Sequence, residues 1–192
     1  MNKTHIALTG FLFALPLIVS AGGGAAKSGL AVGEMVSAFE PTHVTGPDAG
    51  SKTCPVCKYG NTPAVQVWVN GDKIGNVAKI ADALEGAIKM EGPSKLKGFV
   101  VFIKPTGESD AKIQNLLRMV ANQCHLQHVG LLFVDGSANE AVGEYKINTA
   151  ASVKNTVIVY RDRKVSANFV NLVGDDGGIK ALKMAMMKTC GM

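Results

Sequence analysis

Two cysteines stand two residues apart in the string Thr53-Cys54-Pro55-Val56-Cys57-Lys58-Tyr59-Gly60. That spacing supports three chemistries. The pair can close a structural disulfide, share a metal ion, or exchange electrons with another dithiol. A Cys-x-x-Cys arrangement also lowers the pKa of one thiol, which makes it a better nucleophile. In the redox reading the attacking thiolate is the more exposed cysteine, expected to be Cys54, and Cys57 resolves. Lys58 favours the thiolate electrostatically, and the partner is a protein dithiol or disulfide. In the metal reading the string is half of a zinc site and needs a second ligand pair, which Cys124 with His125 or His128 would supply. In the structural reading the disulfide ties down the long segment that precedes the first central strand. Covalent haem attachment is excluded, because Lys58 stands where that motif needs histidine.

Other candidates carry weaker signals. Cys124-His125-Leu126-Gln127-His128 reads as a helix end, where the dipole favours histidine. Met184, Met186, Met187 and Met192 near Cys190 are soft donors suited to Cu(I), but methionines on an amphipathic helix ordinarily fill a core. His43 reads as an ordinary strand or loop residue, and Asp72-Lys73 as a solvated turn. Glu34, Glu40 and Asp48 form no recognisable acid–base pair.

The elements that must position these residues follow from periodicity. Ala64–Val69 alternates as a strand, and 74–90 repeats apolar residues at helical spacing until Gly92-Pro93 ends it. The apolar run 99–103 reads as a strand buried on both faces. A helix over 110–123 and a strand over 129–134 follow. Strands 156–160 and 165–170 flank the polar turn 161–164 as a hairpin, and a last helix covers 177–189. The order is β-α-β-α-β, then a hairpin, then a helix. It implies an α/β fold with a mixed central sheet and helices on both faces.

The chain begins with a short basic stretch, an apolar run from Ile6 to Val19, and small residues at 19–21. Residues 1–21 therefore read as a secretory signal peptide, 22–31 as a flexible linker, and 32–192 as a single domain. The expected location is exported, periplasmic or secreted, with no membrane association once the signal is cleaved. There, disulfides persist. A net charge of +5 is mild and the basic residues are scattered along the chain, which argues against a nucleic-acid groove.

This element order resembles the thioredoxin-like fold. It is most similar to the peroxiredoxin and redoxin (AhpC/TSA-like) branch, in which a helix and strand precede the hairpin. Val32-Gly33-Glu34 followed by Phe39-Glu40-Pro41 resembles that branch's opening segment. Tyr145-Lys146-Ile147, then Val153-Lys154-Asn155-Thr156-Val157-Ile158-Val159-Tyr160, resembles its run into the hairpin, and Arg161-Asp162-Arg163-Lys164-Val165 resembles its turn. The resemblance implies a divergent redoxin domain over about residues 32–189. It also implies an active cysteine just after the first central strand, and a cis-proline before the hairpin. Here the first place holds Asn70-Gly71-Asp72-Lys73 and the second holds Asn155, so peroxidase chemistry at the usual position is disfavoured. A rival threading makes Cys54–Cys57 open the active-site helix, with Pro63 as its kink and 64–69 helical. The strand-like spacing of Val65, Val67 and Val69 opposes it.

If 64–69 is the strand, Cys54 and Cys57 lie at the N-terminal edge of the parallel strands. Cys124 and Cys190 are expected near the same edge. The reading that follows is a thiol–disulfide oxidoreductase. Its alternative is a non-enzymatic metal-binding or partner-binding module on a redoxin fold that has lost its usual cysteine.

Overall fold

The structure is a computed structural model and describes residues 26–191. The expected signal peptide, residues 1–21, lies outside the described residues. Five apolar or β-branched runs and one short edge segment form a six-stranded sheet in the order β1-β4-β3-β2-β5-β6. The strands are β1 (Thr42–His43), β2 (Ala64–Val69), β3 (Lys97–Ile103), β4 (Val129–Val134), β5 (Asn155–Arg161) and β6 (Lys164–Val170). β2, β3 and β4 run parallel, while β5 pairs antiparallel with β2 and with β6. Ala64–Val69 is a strand, as its side-chain spacing requires, and the rival helical threading fails.

The period of two along each strand sends alternate residues to opposite faces, and both faces are buried. Val65, Val67, Val100, Phe102, Leu131, Phe133, Val157 and Val159 point to one cluster. It is covered by α2 (Ile74–Glu91), α3 (Asp110–Gln123) and α5 (Asp176–Cys190) through Val77, Ile80, Leu84, Leu117, Leu182 and Met186. Trp68, Phe99, Val101, Leu132, Ile158 and Tyr160 point to the other cluster. It is covered by the N-terminal segment, by α1 (Pro55–Tyr59) and by α4 (Glu140–Glu144), through Leu30, Val36, Phe39, Val56 and Val142. Gln66 is fully buried on this second face because its amide is used. Trp68 Nε1 donates to its oxygen at 3.1 Å, and its nitrogen donates to Tyr145 Oη at 3.3 Å.

The domain starts earlier than residue 32. Ser28 and Leu30 are buried, and Ser28 Oγ lies 2.6 Å from Thr156 Oγ1. Gly29 has φ +82, and a Cβ there would meet Thr156 Cγ2 at 2.6 Å. Residues 28–30 of the expected linker therefore pack against the sheet. No described helix is long and apolar enough to cross a membrane.

Candidate functional site

Cys54 and Cys57 are joined in a disulfide across a five-residue helix that sequence periodicity did not indicate. Pro55 occupies its first turn, where a fixed φ and a missing N–H suit helix initiation. Cys54 is the N-cap, and its Sγ accepts from the Cys57 backbone N–H at 3.0 Å. Gly60 closes the helix at φ 55. Cys57 is exposed and Cys54 half-buried against the second core cluster. The expected order of exposure is therefore reversed, because the N-cap position turns Cys54 inward.

The helix is anchored by polar contacts. Asp48, whose side chain is 4% exposed, accepts from Lys58 Nζ and, at 2.7 Å, from Tyr59 Oη. Burial raises the Asp48 pKa, but the bonds from Lys58 and Tyr59 outweigh it and hold the carboxyl below its ordinary range. Burial, and then the bond to Asp48, push the Tyr59 phenol well up. Lys97 Nζ sits 4.4 Å from the centroid of the Tyr59 ring, an attractive cation–π geometry. Burial lowers the Lys97 pKa, with Asp48 opposing. His43 is buried in β1 and its Nε2 donates to Thr53 O at 2.8 Å. Burial pulls its pKa down while that carbonyl opposes. Asp48 was thus the functional neighbour that sequence reasoning missed. Its ten-residue separation from Lys58 hides the pairing. Lys58 in turn is not a free neighbour for a thiolate, because its ammonium is engaged by Asp48.

The remaining sequence candidates do not join this centre. Cys124 and Cys190 are free thiols packed against the opposite face of the sheet from Cys54. Cys124 Sγ lies 3.8 Å from Ala78 O early in α2, whereas Cys190 shares a cavity with Glu91 at its end and with Pro63, Lys95 and Arg161. Thirteen residues separate Ala78 from Glu91 on that helix, which is about 20 Å of rise. Burial pushes both thiols up, aided by Asp82 at Cys124 and by Glu91 at Cys190. His125 is exposed and His128 half-buried in the turn after α3, which Glu85 holds by accepting from the His128 and Val129 N–H groups at 2.9 Å each. The four cysteines therefore do not converge. Among the described residues no group of three or more His, Cys, Asp or Glu side chains could hold a metal ion. The zinc set Cys54, Cys57, Cys124, His125 and His128 is not assembled, because the sheet lies between its two halves.

The opposite end of β2 carries no cysteine. Asp72 there is not a merely solvated turn. Its Oδ2 accepts from Asn76 Nδ2 at 2.7 Å and from Asn155 Nδ2 at 2.6 Å. Asn155 also accepts from the Leu172 N–H at 2.8 Å. A closed hydrogen-bond network fills the place where the resemblance implies an active cysteine and a cis-proline, and the described residues contain no cis peptide bond.

No protein-family model matches the chain. No curated protein sequence matches it either. Solved structures do. A Bacteroides thetaiotaomicron protein described as a disulfide isomerase superimposes with TM-score 0.62 at 12% identity, covering 87% of this chain and 96% of that one. A Chlorobium tepidum protein described as the thiol:disulfide interchange protein DsbE gives TM-score 0.62 at 12% identity, covering 84% and 99%. The peroxidoxin BcpB of Mycobacterium tuberculosis gives 0.56 at 14% identity, covering 82% and 96%. The chain has the thioredoxin-like fold.

Proposed function

We propose that the protein is an exported thiol–disulfide exchange protein working through Cys54 and Cys57. The observation that carries this reading is the geometry of the pair, with an exposed Cys57 bonded to a Cys54 whose sulfur already accepts a backbone N–H. A partner thiolate attacks Cys57 Sγ, the accessible sulfur. The Cys54–Cys57 bond breaks, and Cys54 leaves as a thiolate stabilised by the Cys57 N–H. A second partner thiolate then attacks the mixed disulfide and releases Cys57. The partner dithiol has lost two electrons and two protons, and the Cys54–Cys57 pair has gained them. The reverse sequence passes them to a partner disulfide. Export rests on the signal-like pattern of residues 1–21, and the oxidised pair suits that location.

A purely structural clasp is the weaker reading. A bond between residues three apart closes so small a loop that it removes only about 2 kcal/mol of unfolded-chain entropy. It joins two ends of one short helix, while Asp48 and His43 already hold the preceding segment. Trapping tests the proposal. Reduced Cys54→Ser should accumulate a mixed disulfide on Cys57 with a model protein disulfide, and Cys57→Ser should form little. Equal, negligible trapping by both would contradict it.

A further inference from the structure

Basic residues scattered along the chain gather in space at the end of the sheet where β2 begins, the end that also carries α1 and Cys57. Ala64, at the start of β2, pairs with Lys97 on one side and Tyr160 on the other, and Arg161 pairs with Lys164 beyond it. Strands lie about 4.8 Å apart, so this row places Lys97 about 5 Å and Lys164 about 10 Å from Ala64, on opposite sides. Lys52 and Lys58 flank the cysteines in sequence. Lys95 lines a cavity at this end with Pro63, Arg161 and Cys190, on the other face of the sheet from Cys54. The hairpin turn that presents Arg163 has positive φ at both Asp162 and Arg163, and the Asp162 N–H donates to Asn61 O just after α1 at 3.3 Å. The turn is therefore fastened to the redox segment.

Seven basic residues stand at this end against four acids, Asp48, Glu91, Asp162 and Glu34, the last beside Lys164 and taken by Lys146. Asp48 is buried and taken by Lys58, and Asp162 is paired with Arg161 at 3.7 Å. Among the described residues, Lys52, Lys95, Lys97, Arg163 and Lys164 pair with no carboxylate. The end of the sheet that bears the cysteines is thus net positive. Exposed charges of one sign act together over about one Debye length, about 10 Å at 0.1 M salt. Same-sign rims of this kind raise association rates about 10- to 1,000-fold for opposite charges.

Resting on the exchange reading, we propose that this rim selects an acidic polypeptide segment as the carrier of the partner cysteines. The test uses two synthetic peptides with the same internal disulfide, one flanked by Asp and Glu, the other by Lys and Arg. Their reduction by the reduced full domain is followed at about 20 mM and about 500 mM NaCl. The acidic peptide should react about tenfold faster at low salt, and the ratio should fall towards unity at high salt. The triple variant Lys95→Ser, Arg163→Asn, Lys164→Ser should lose most of that ratio. These are exposed positions, and Asn tolerates the positive φ at 163. Equal rates for both peptides, or a salt-independent ratio, would overturn the partner assignment alone. Binding to anionic vesicles without peptide selectivity would also overturn it, assigning the rim to a membrane. No reduction of either peptide at any salt would overturn the exchange reading and the assignment together.

Discussion

Replacing Asp48 with Asn tests whether a polar knot, rather than the disulfide, holds α1 to the sheet. The Asp48 side chain is 4% exposed and serves both Lys58 and Tyr59. A buried hydrogen bond to a charged group contributes about 1.5–3 kcal/mol. Lys58 is 47% exposed, so its ion pair adds only about 0.5 kcal/mol. Asn keeps one acceptor but loses the charge, and the expected cost is about 2 kcal/mol at pH 7. For a domain of this size that lowers Tm by about 4–8 °C. The sign of the pH dependence follows from the depressed Asp48 pKa. The stability it confers is fully present above the unfolded-state value of about 3.9 and disappears as pH falls through the lower folded value. Urea midpoints of the oxidised proteins should therefore differ clearly at pH 7 and approach one another below about pH 4. A gap of the same size at both ends of that range would refute the charge-based account. So would no gap at pH 7.

Three further outcomes are expected. Gln66→Leu leaves the buried Trp68 N–H without the acceptor it has at 3.1 Å, and thermal denaturation should register a loss of about 1–3 kcal/mol. Gly46→Ala should cost about 1–3 kcal/mol in chemical denaturation, because φ is +84 and the new Cβ would stand 2.8 Å from Gly130 Cα. Asp72→Ala removes acceptors used by Asn76 and Asn155 and should lower stability by about 1–2 kcal/mol. It should leave the rate of thiol–disulfide exchange unchanged, since Asp72 stands at the other end of β2 from the cysteines; a slowed rate would place the working site there instead.

The long elements were legible because their signals are local. Buried strands read as apolar runs, α3 was marked by Ile113, Leu116, Leu117 and Val120 at helical spacing, and the hairpin was marked by Arg161–Lys164. Three short elements were not. β1 has two residues, and α4 is five residues whose apolar content, Ala141 and Val142, shows no period. α1 is set by capping at Cys54, Pro55 and Gly60 rather than by periodicity. The site was legible only in its cysteines. That Asp48 meets Lys58 and Tyr59, that Cys57 rather than Cys54 faces outward, and that the sheet separates Cys54 from Cys124 and Cys190 all depend on tertiary packing. The resemblance to redoxins carried the fold and, through the absent cysteine at 70–73, the expectation that any thiol chemistry sits at the opposite end of β2.

The most direct test of the exchange proposal is the equilibrium reduction potential of the Cys54–Cys57 pair, read against glutathione or dithiothreitol buffers by thiol alkylation and mass. A working exchange centre should titrate between about −270 and −120 mV, the span of dithiol oxidoreductases. A potential below about −300 mV, with no exchange activity in the reduced protein, would contradict the account and leave the pair as a clasp on a thioredoxin-like domain.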